Sequence, residues 1–345
     1  MRDFRTSGRA AVTGRVTMRD VAQAVGVSPM TVSRALRDDK TVSAETRNLI
    51  QKAAHELGYR YDTTALAFRT QKSGFVAITL PSVNNANFAE TFRGLSDRLT
   101  DSGVQLLLGS TNYSVEREER LVRQLLARNP EAIVLTGGTH TDATRKMLAA
   151  ANLPLVEIWD LPKDPLGHVV GFSNADAMDQ VVAHLAGRGR TKLAFVGAQD
   201  GDDMRGAARR AGVIRAARTH GLGEVELINA GPAPISMRQG AAAARIIGPD
   251  IARFDAVLCV SDPVAFGVLS ECRRMGLSVP EDLAITGFGQ FDVATVSDPR
   301  ITTVGVDAHG IGVRTAALLQ NLFDLGDVAP RYVDVGSHLV IGETS

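Results

Sequence analysis

From Phe75 onward the chain alternates short apolar runs with amphipathic helical stretches, and no other feature restricts its fold as strongly. The runs are FVAITLP (75–81), VQLLLGST (104–111), AIVLTG (132–137), LPLVEIWD (153–160), HVVGFSN (168–174), KLAFVGA (192–198), VELIN (225–229), AVLCVSD (256–262) and LAITGFG (283–289). Stretches such as 115–127 and 178–186 fill the slots between them as helices. Continuous apolar runs separated by helices mark βαβ units and parallel sheets. Nine runs are too many for one open sheet of usual width, which predicts two similar doubly wound α/β lobes around a cleft. Ligands of such folds sit beyond the carboxyl ends of the strands. The polar residues just past those ends are Ser82, Asn84, Asn85, His140, Asp160, Ser173, Asn174, Asp200, Asp262 and Gln290.

A chain of 345 residues exceeds one hydrophobic core, and with 44% hydrophobic and 22% charged residues it has globular rather than disordered composition. No apolar stretch reaches the length of a spanning helix, and the N-terminus lacks the apolar segment of a secretory signal, so a soluble, cytoplasmic protein with no membrane partner is expected. Two cysteines, Cys259 and Cys272, support neither a disulfide framework nor a zinc site. Catalytic signatures are missing too. The chain has no G-x-G-x-x-G, no phosphate-binding G-x-x-x-x-G-K-[ST] and no G-x-S-x-G, and its seven histidines lack the spacing of a metal pair. The body therefore reads as a binder without cofactor or metal, not as an enzyme.

Charge divides the chain in two. Residues 1–72 hold 13 Lys/Arg against 7 Asp/Glu, a net of +6 that the remainder cancels. A basic module facing a polyanion is the natural reading. Thr17 and Asp20 have capping-box spacing before the stripe Val21, Ala22, Val25, and Gly26 stops that helix. Ser28 and Pro29 open a second helix with Val32, Ala35 and Leu36 inward, while Ser43 opens a third with Leu49, Ile50, Ala53 and Leu57 on one face and Gly58 as its stop. Two short helices joined by a tight Gly-containing turn, followed by a third, make a helix-turn-helix. Its second helix enters the major groove. Outward there lie Pro29, Met30, Thr31, Ser33 and Arg34; the Arg34 fork suits guanine, Thr17 and Ser28 suit phosphates, and Arg47 is expected to touch phosphate. The segment 59–72 is too short for a stable free helix and should order only on a partner.

These residues resemble the lac-repressor/galactose-repressor family of bacterial transcription regulators. The likeness is carried by 17–36 (TMRDVAQAVGVSPMTVSRAL), 42–47 (VSAETR) and 57–59 (LGY), and continues through 81–85 (PSVNN), 171–174 (GFSN), 261–262 (SD) and 279–288 (VPEDLAITGF), covering about residues 17–343. It implies an N-terminal all-α helix-turn-helix domain, an α/β periplasmic-binding-protein-like core, a small-molecule effector between the lobes, and a homodimer on near-palindromic operator DNA. The expected division is a disordered basic arm over 1–16, the DNA-binding domain over 17–60, a hinge over 61–73 and the two-lobed effector and dimerisation domain over 74–345. With no heptad helix after the apolar run 338–341, a dimer rather than a tetramer is expected.

The chain departs from the family's pattern at several positions. Tyr61 stands for the common hinge proline, Asp62 for asparagine and Leu66 for arginine, while Phe68 takes the place of the leucine wedged into the minor groove. Ser261 replaces the asparagine before Asp262, and Gly289–Gln290 an Asp–Asp pair. Within the family, 139–147 (THTDATRKM), 156–160 (VEIWD), 170–173 (VGFS) and 203–205 (DMR) are similar to repressors of gluconate utilisation. That likeness implies a sugar acid, its carboxylate on Arg205 and its hydroxyls shared by Asp262, Asn85, Ser173 and Gln290, with His140 and Trp159 completing the effector set. The alternative is a sugar-binding protein of the periplasmic transport type, and an enzyme on the same fold comes third. The helix-turn-helix favours the regulator.

Overall fold

The computed structural model describes residues 16–36, 39, 41–59, 73–199, 201, 203–326 and 329–345; the basic arm up to residue 15, the hinge over 61–72 with Phe68, and Asp200 lie outside them. The chain divides into two compact units, one up to Lys72 and one from Ser73.

In the first unit, α1 (Met18–Val25), α2 (Pro29–Ala35) and α3 (Ala44–Glu56) begin and end where the local chemistry dictates. The Thr17 N–H and hydroxyl both donate to Asp20 Oδ2 at 2.7 Å. Ser28 Oγ accepts from the Thr31 N–H at 3.1 Å and Ser43 Oγ from the Thr46 N–H at 3.2 Å. Gly26, at φ 73°, takes the left-handed cap that a side chain would resist. The core is Val21, Ala22, Val32, Ala35, Val42, Ile50 and Ala54. The inward face of α3 differs from the sequence reading, because Leu49 and Leu57 are 54% and 39% exposed and Ala54 is buried instead. Partner helices of eight and seven residues offer a narrow seam, which the i, i+4 pair Ile50 and Ala54 fills.

The second unit runs β1 (Phe75–Leu80), α4 (Ala86–Thr100), β2 (Gln105–Ser110), α5 (Val115–Leu126), β3 (Ala132–Thr136), α6 (Asp142–Ala151), β4 (Leu155–Ile158), β5 (His168–Gly171), α7 (Asp179–Gly187), β6 (Leu193–Gly197), α8 (Met204–Thr219), β7 (Glu226–Asn229), α9 (Met237–Ile247), β8 (Ala256–Cys259), α10 (Asp262–Arg274), β9 (Ala284–Thr286), α11 (Asp292–Val296), β10 (Thr303–Gly305), α12 (Ala308–Leu325), β11 (Tyr332–Asp334) and β12 (His338–Val340). The nine apolar runs became β1 to β9. Two sheets result, ordered β11-β5-β4-β3-β1-β2 and β7-β6-β8-β9, with every pair in them parallel. A third, antiparallel pair joins β10 to β12. The chain therefore crosses between lobes three times, after β5, between β10 and α12, and between β11 and β12.

Both faces of the first sheet are covered, as parallel strands require. Val76, Ile78 and Leu80 of β1 join the large core, while Ala77 packs with Val122, Ile133 and Leu148 on the other face. Among the described residues no helix is long and apolar enough to cross a membrane.

The helix pair α4 and α12 closes unusually tightly. A Cβ on Gly312 would lie 2.1 Å from the Thr91 carbonyl oxygen, and one on Gly94 2.5 Å from that of His309. The Thr91 hydroxyl donates to the Ala308 carbonyl at 2.8 Å across the same contact. Gly312→Ala should therefore destabilise the unit by roughly 1–3 kcal/mol through overpacking. Thermal unfolding should show the loss, at about 2–4 °C for each kcal/mol in a domain of this size; an unchanged midpoint would mean the helices part freely.

Candidate functional site

Each unit carries a candidate surface. In the first, Met30, Pro29 and Arg34 of α2 are exposed, with Thr31 and Ser33 half-buried beside them. Val32 and Ala35 bury the opposite side, which leaves Pro29, Met30 and Arg34 turned outward. Ser28 and Thr17 sit at helix starts, and both hydroxyls already serve caps, which leaves the helix N-termini as the donors there. Arg47, read in the sequence as a phosphate contact, also has a place in the fold. One of its nitrogens donates to the carbonyls of Asp39 and Val42 at 3.1 and 3.2 Å, tying down the loop before α3.

In the second unit, the strand order reverses between β1 and β3 in one sheet and between β6 and β8 in the other. Segments leaving such points diverge and open a crevice. A cavity of about 230 Å³ lies there, below the roughly 300–1,000 Å³ of sites for drug-sized molecules. Four N-cap residues line it: Asn85 of α4, Asp203 of α8, Ser236 of α9 and Ser261 of α10. Four helices of 11 to 16 residues thus turn their partly positive ends toward one cavity.

Two guanidiniums add full charge. Arg209 is fixed: Nε and one Nη donate to Asn174 Oδ1 at 3.0 and 2.9 Å, the other Nη donates to the Val260 carbonyl at 2.7 Å, and its carbon lies 3.6 Å from the centroid of Phe288. Burial lowers its pKa to about 10, still charged at neutral pH. Arg205 is held loosely. Only 8% exposed, it lies 5.4 Å from the Phe88 ring and 5.9 Å from that of Tyr113, and among the described residues its one hydrogen bond is a 3.4 Å contact to the Thr136 carbonyl. Among the described residues no carboxylate pairs with it. A buried cation so poorly matched is costly unless an anion arrives.

The structure sorts the sequence-derived residues. Asn85, Trp159 and Arg205 line the cavity, as do Ser82 and Asn84. Asn85 Oδ1 accepts from the N–H groups of Asn87 and Phe88, and the Trp159 indole donates to Thr91 Oγ1 at 3.0 Å. Four others stand back from the lining. Asp262 is wholly buried, its carboxylate accepting from the Phe291 N–H and the Thr303 hydroxyl. Burial raises its pKa to about 6. Gly287 makes room for it, since a Cβ there would come within 2.1 Å of Oδ1. Ser173 caps the turn at Asp176, and Gln290 is exposed, its N–H on Thr303 Oγ1. His140 is buried inside the first lobe, Nδ1 at 2.5 Å from Glu118 and Nε2 at 3.2 Å from Glu157. Sequence reasoning missed Phe88, Tyr113 and Arg209 as lining residues, because apolar periodicity marks a wall and a core alike. Only the run of arginines after β6 hinted at Arg209.

Known proteins share this organisation. Residues 17–62 match the model of bacterial regulatory proteins of the lacI family, and 182–345 that of a periplasmic binding protein-like domain. The HTH-type transcriptional regulator GntR of Pseudomonas aeruginosa is 34% identical over 96% of this chain and 96% of its own. The crystal structure of a LacI family transcriptional regulator from Silicibacter pomeroyi is 43% identical at a TM-score of 0.73, covering 78% of this chain and 98% of that one. Transcription regulator GntR from Chromobacterium violaceum is 33% identical, also at 0.73, over 79% and 99%.

The His140 cluster yields a pH dependence. Burial alone would lower its pKa, but hydrogen bonds and charge from Glu118 and Glu157 prevail and raise it to about 9. A pKa raised on folding contributes stability that is full below the unfolded value near 6.5 and is lost as pH rises through about 9. His140→Gln should therefore destabilise most near pH 6, by roughly 3–5 kcal/mol for a broken buried pair, and least above pH ~9. Urea unfolding across pH measures it, and a gap that widened with pH would reverse the assignment.

Proposed function

The chain belongs to the lacI family of bacterial regulatory proteins, and on that premise we propose that this DNA-binding transcriptional regulator is a repressor controlled by a sugar acid of gluconate type held in the cavity of its second unit. The observation that carries the effector class is Arg205, a buried guanidinium that lines the cavity and, among the described residues, makes only a 3.4 Å hydrogen bond to the Thr136 carbonyl. An aldonic acid would supply the carboxylate, and its hydroxyls would meet Ser82, Asn84 and Asn85 on the first-lobe side of the wall. Four helix N-termini favour the same sign of ligand. Asp203 also lines the wall and, through repulsion, would orient the acid with its carboxylate turned toward Arg205.

Asp262, Ser173, Gln290 and His140 act at one remove in this reading. Asp262 holds the Phe291 backbone at the rim, and Gln290 adjoins the lining residue Gly289. The operator is read by α2, with Arg34 as the base-reading side chain and the +6 charge of residues 1–72 meeting phosphates. Two copies related by a twofold axis would address a near-palindromic site.

Three measurements test this. Arg34→Ala should lose roughly 1–3 kcal/mol of discrimination between operator and random DNA. Equal losses on both would remove its base-reading role, and sedimentation showing one chain per operator would remove the dimer. In calorimetry, D-gluconate should bind more tightly than glucose. Arg205→Ala should weaken it by roughly ten- to a hundredfold, in line with about 1.5–3 kcal/mol for a hydrogen bond to a charged group. A tighter neutral hexose or purine would sink the sugar-acid class and leave the regulator standing.

A further inference from the structure

Arg205 belongs to the second lobe, at the start of α8, yet its two ring contacts and its hydrogen bond to Thr136 are made to the first. Phe88 comes from α4, Tyr113 from the turn after β2 and the Thr136 carbonyl from the end of β3. The first lobe is shaped to receive it. Asn112 and Tyr113 are consecutive non-glycine residues with positive φ, 51° and 64°, a backbone course that L side chains resist. It brings the Tyr113 ring to the guanidinium. Gly137, at φ 101°, leaves space on the other side, where a Cβ would lie 3.0 Å from an Arg205 nitrogen. A second, smaller cavity of about 40 Å³ opens there, so Arg205 forms a wall between two compartments. The Asn87 amide also bridges the cleft, donating to the Gly289 carbonyl at 2.8 Å.

We propose that Phe88 and Tyr113 form an aromatic socket in the first lobe that positions Arg205 of the second, so that the anionic group of the effector, and not its hydroxyls, selects the lobe arrangement that changes operator affinity. The inference rests on the sugar-acid reading above. The effector carboxylate meets the guanidinium at full strength only while the rings hold it at the cavity wall, which happens only with the lobes in this arrangement. A ligand shifts a conformational equilibrium solely through such differential affinity. Hydroxyl contacts to one lobe alone bind equally in both arrangements and shift nothing.

The experiment separates affinity from coupling. For each protein, calorimetry gives the dissociation constant for D-gluconate, and fluorescence anisotropy gives operator affinity without ligand and at saturating D-gluconate. The coupling ratio is taken against that protein's own ligand-free value. Tyr113→Leu and Phe88→Leu should weaken D-gluconate binding, and at concentrations that saturate each variant their coupling ratios should still fall at least tenfold toward unity. Tyr113→Phe, which keeps the ring, should restore the wild-type ratio; a purely structural role for the hydroxyl would not allow that. Glucitol, which has the hydroxyl chain without the charge, should give a ratio of one with wild type at saturation. The single tryptophan, Trp159, lies 5.2 Å from Phe88 and reports by its fluorescence that each variant is folded. Wild-type coupling in both leucine variants, or coupling by glucitol equal to that by D-gluconate, overturns the socket while leaving the sugar-acid reading intact. A wild type that binds no D-gluconate overturns both.

Discussion

Parallel pairing obliges each connection to return across a face of the sheet, and that obligation arranges everything else in the second unit. Every β-strand of a parallel sheet delivers its carboxyl end to the same edge, and the helix that follows starts there with its N–H groups unpaired. Where neighbouring connections leave on opposite faces, the edge opens. With two such sheets in one unit, the openings face each other, and Asn85, Asp203, Ser236 and Ser261 converge although 176 positions separate the first from the last. The polar character of the cavity is therefore a consequence of topology, and the side chains added to it decide only which polar molecule fits.

Within that frame the two arginines of α8 lead different lives. Arg209 is bound on three sides by Asn174, the Val260 carbonyl and Phe288, so it serves as a fixed positive wall that costs little to reorganise when a ligand arrives. Arg205 makes one marginal hydrogen bond among the described residues, which leaves its interactions to be completed from outside. Burial of Asp262 beside Thr303 and Phe291 serves the same end by another route, because a carboxylate kept back from the lining does not cancel the cations.

Much of this was legible in the chain. The nine apolar runs gave β1 to β9 because buried parallel strands carry side chains of one kind on both faces, and the signal does not depend on partners. β10 and β11 escaped notice, and the apolar run 338–341 that holds β12 was not read as a strand; three residues each, with Thr303, Tyr332 and His338 at their starts, they have no periodicity to read and exist only because a neighbouring strand is present. Helix starts at Thr17, Ser28 and Ser43 were equally plain, since a cap acts within four residues. The cleft was read less well. Position after a strand picks out Asn85 and Arg205, but it cannot tell a side chain that turns outward from one that turns back, as Asp262 does toward the space over Gly287. His140 illustrates the same limit from the other side: its partners, Glu118 and Glu157, lie 22 and 17 positions away, and nothing local announces that all three are buried together.

The magnitude of the switch bears on where its energy comes from. Moving a two-state equilibrium from 1:99 to 99:1 takes about 5.5 kcal/mol of preference for one arrangement. A hydroxyl contact contributes about 0.5–1.5 kcal/mol net, and most of that is equal in both arrangements when one lobe makes the contact alone. A carboxylate on a guanidinium makes two parallel bonds of about 1.5–3 kcal/mol each, and these strengthen in a site closed to water. Only an interaction of that size, assembled from both lobes, brings a small ligand near the required preference. The placement of Arg205 on α8 with its socket on α4 and the turn after β2 meets that condition, whereas the same arginine seated among residues of its own lobe would raise affinity and leave the equilibrium where it was.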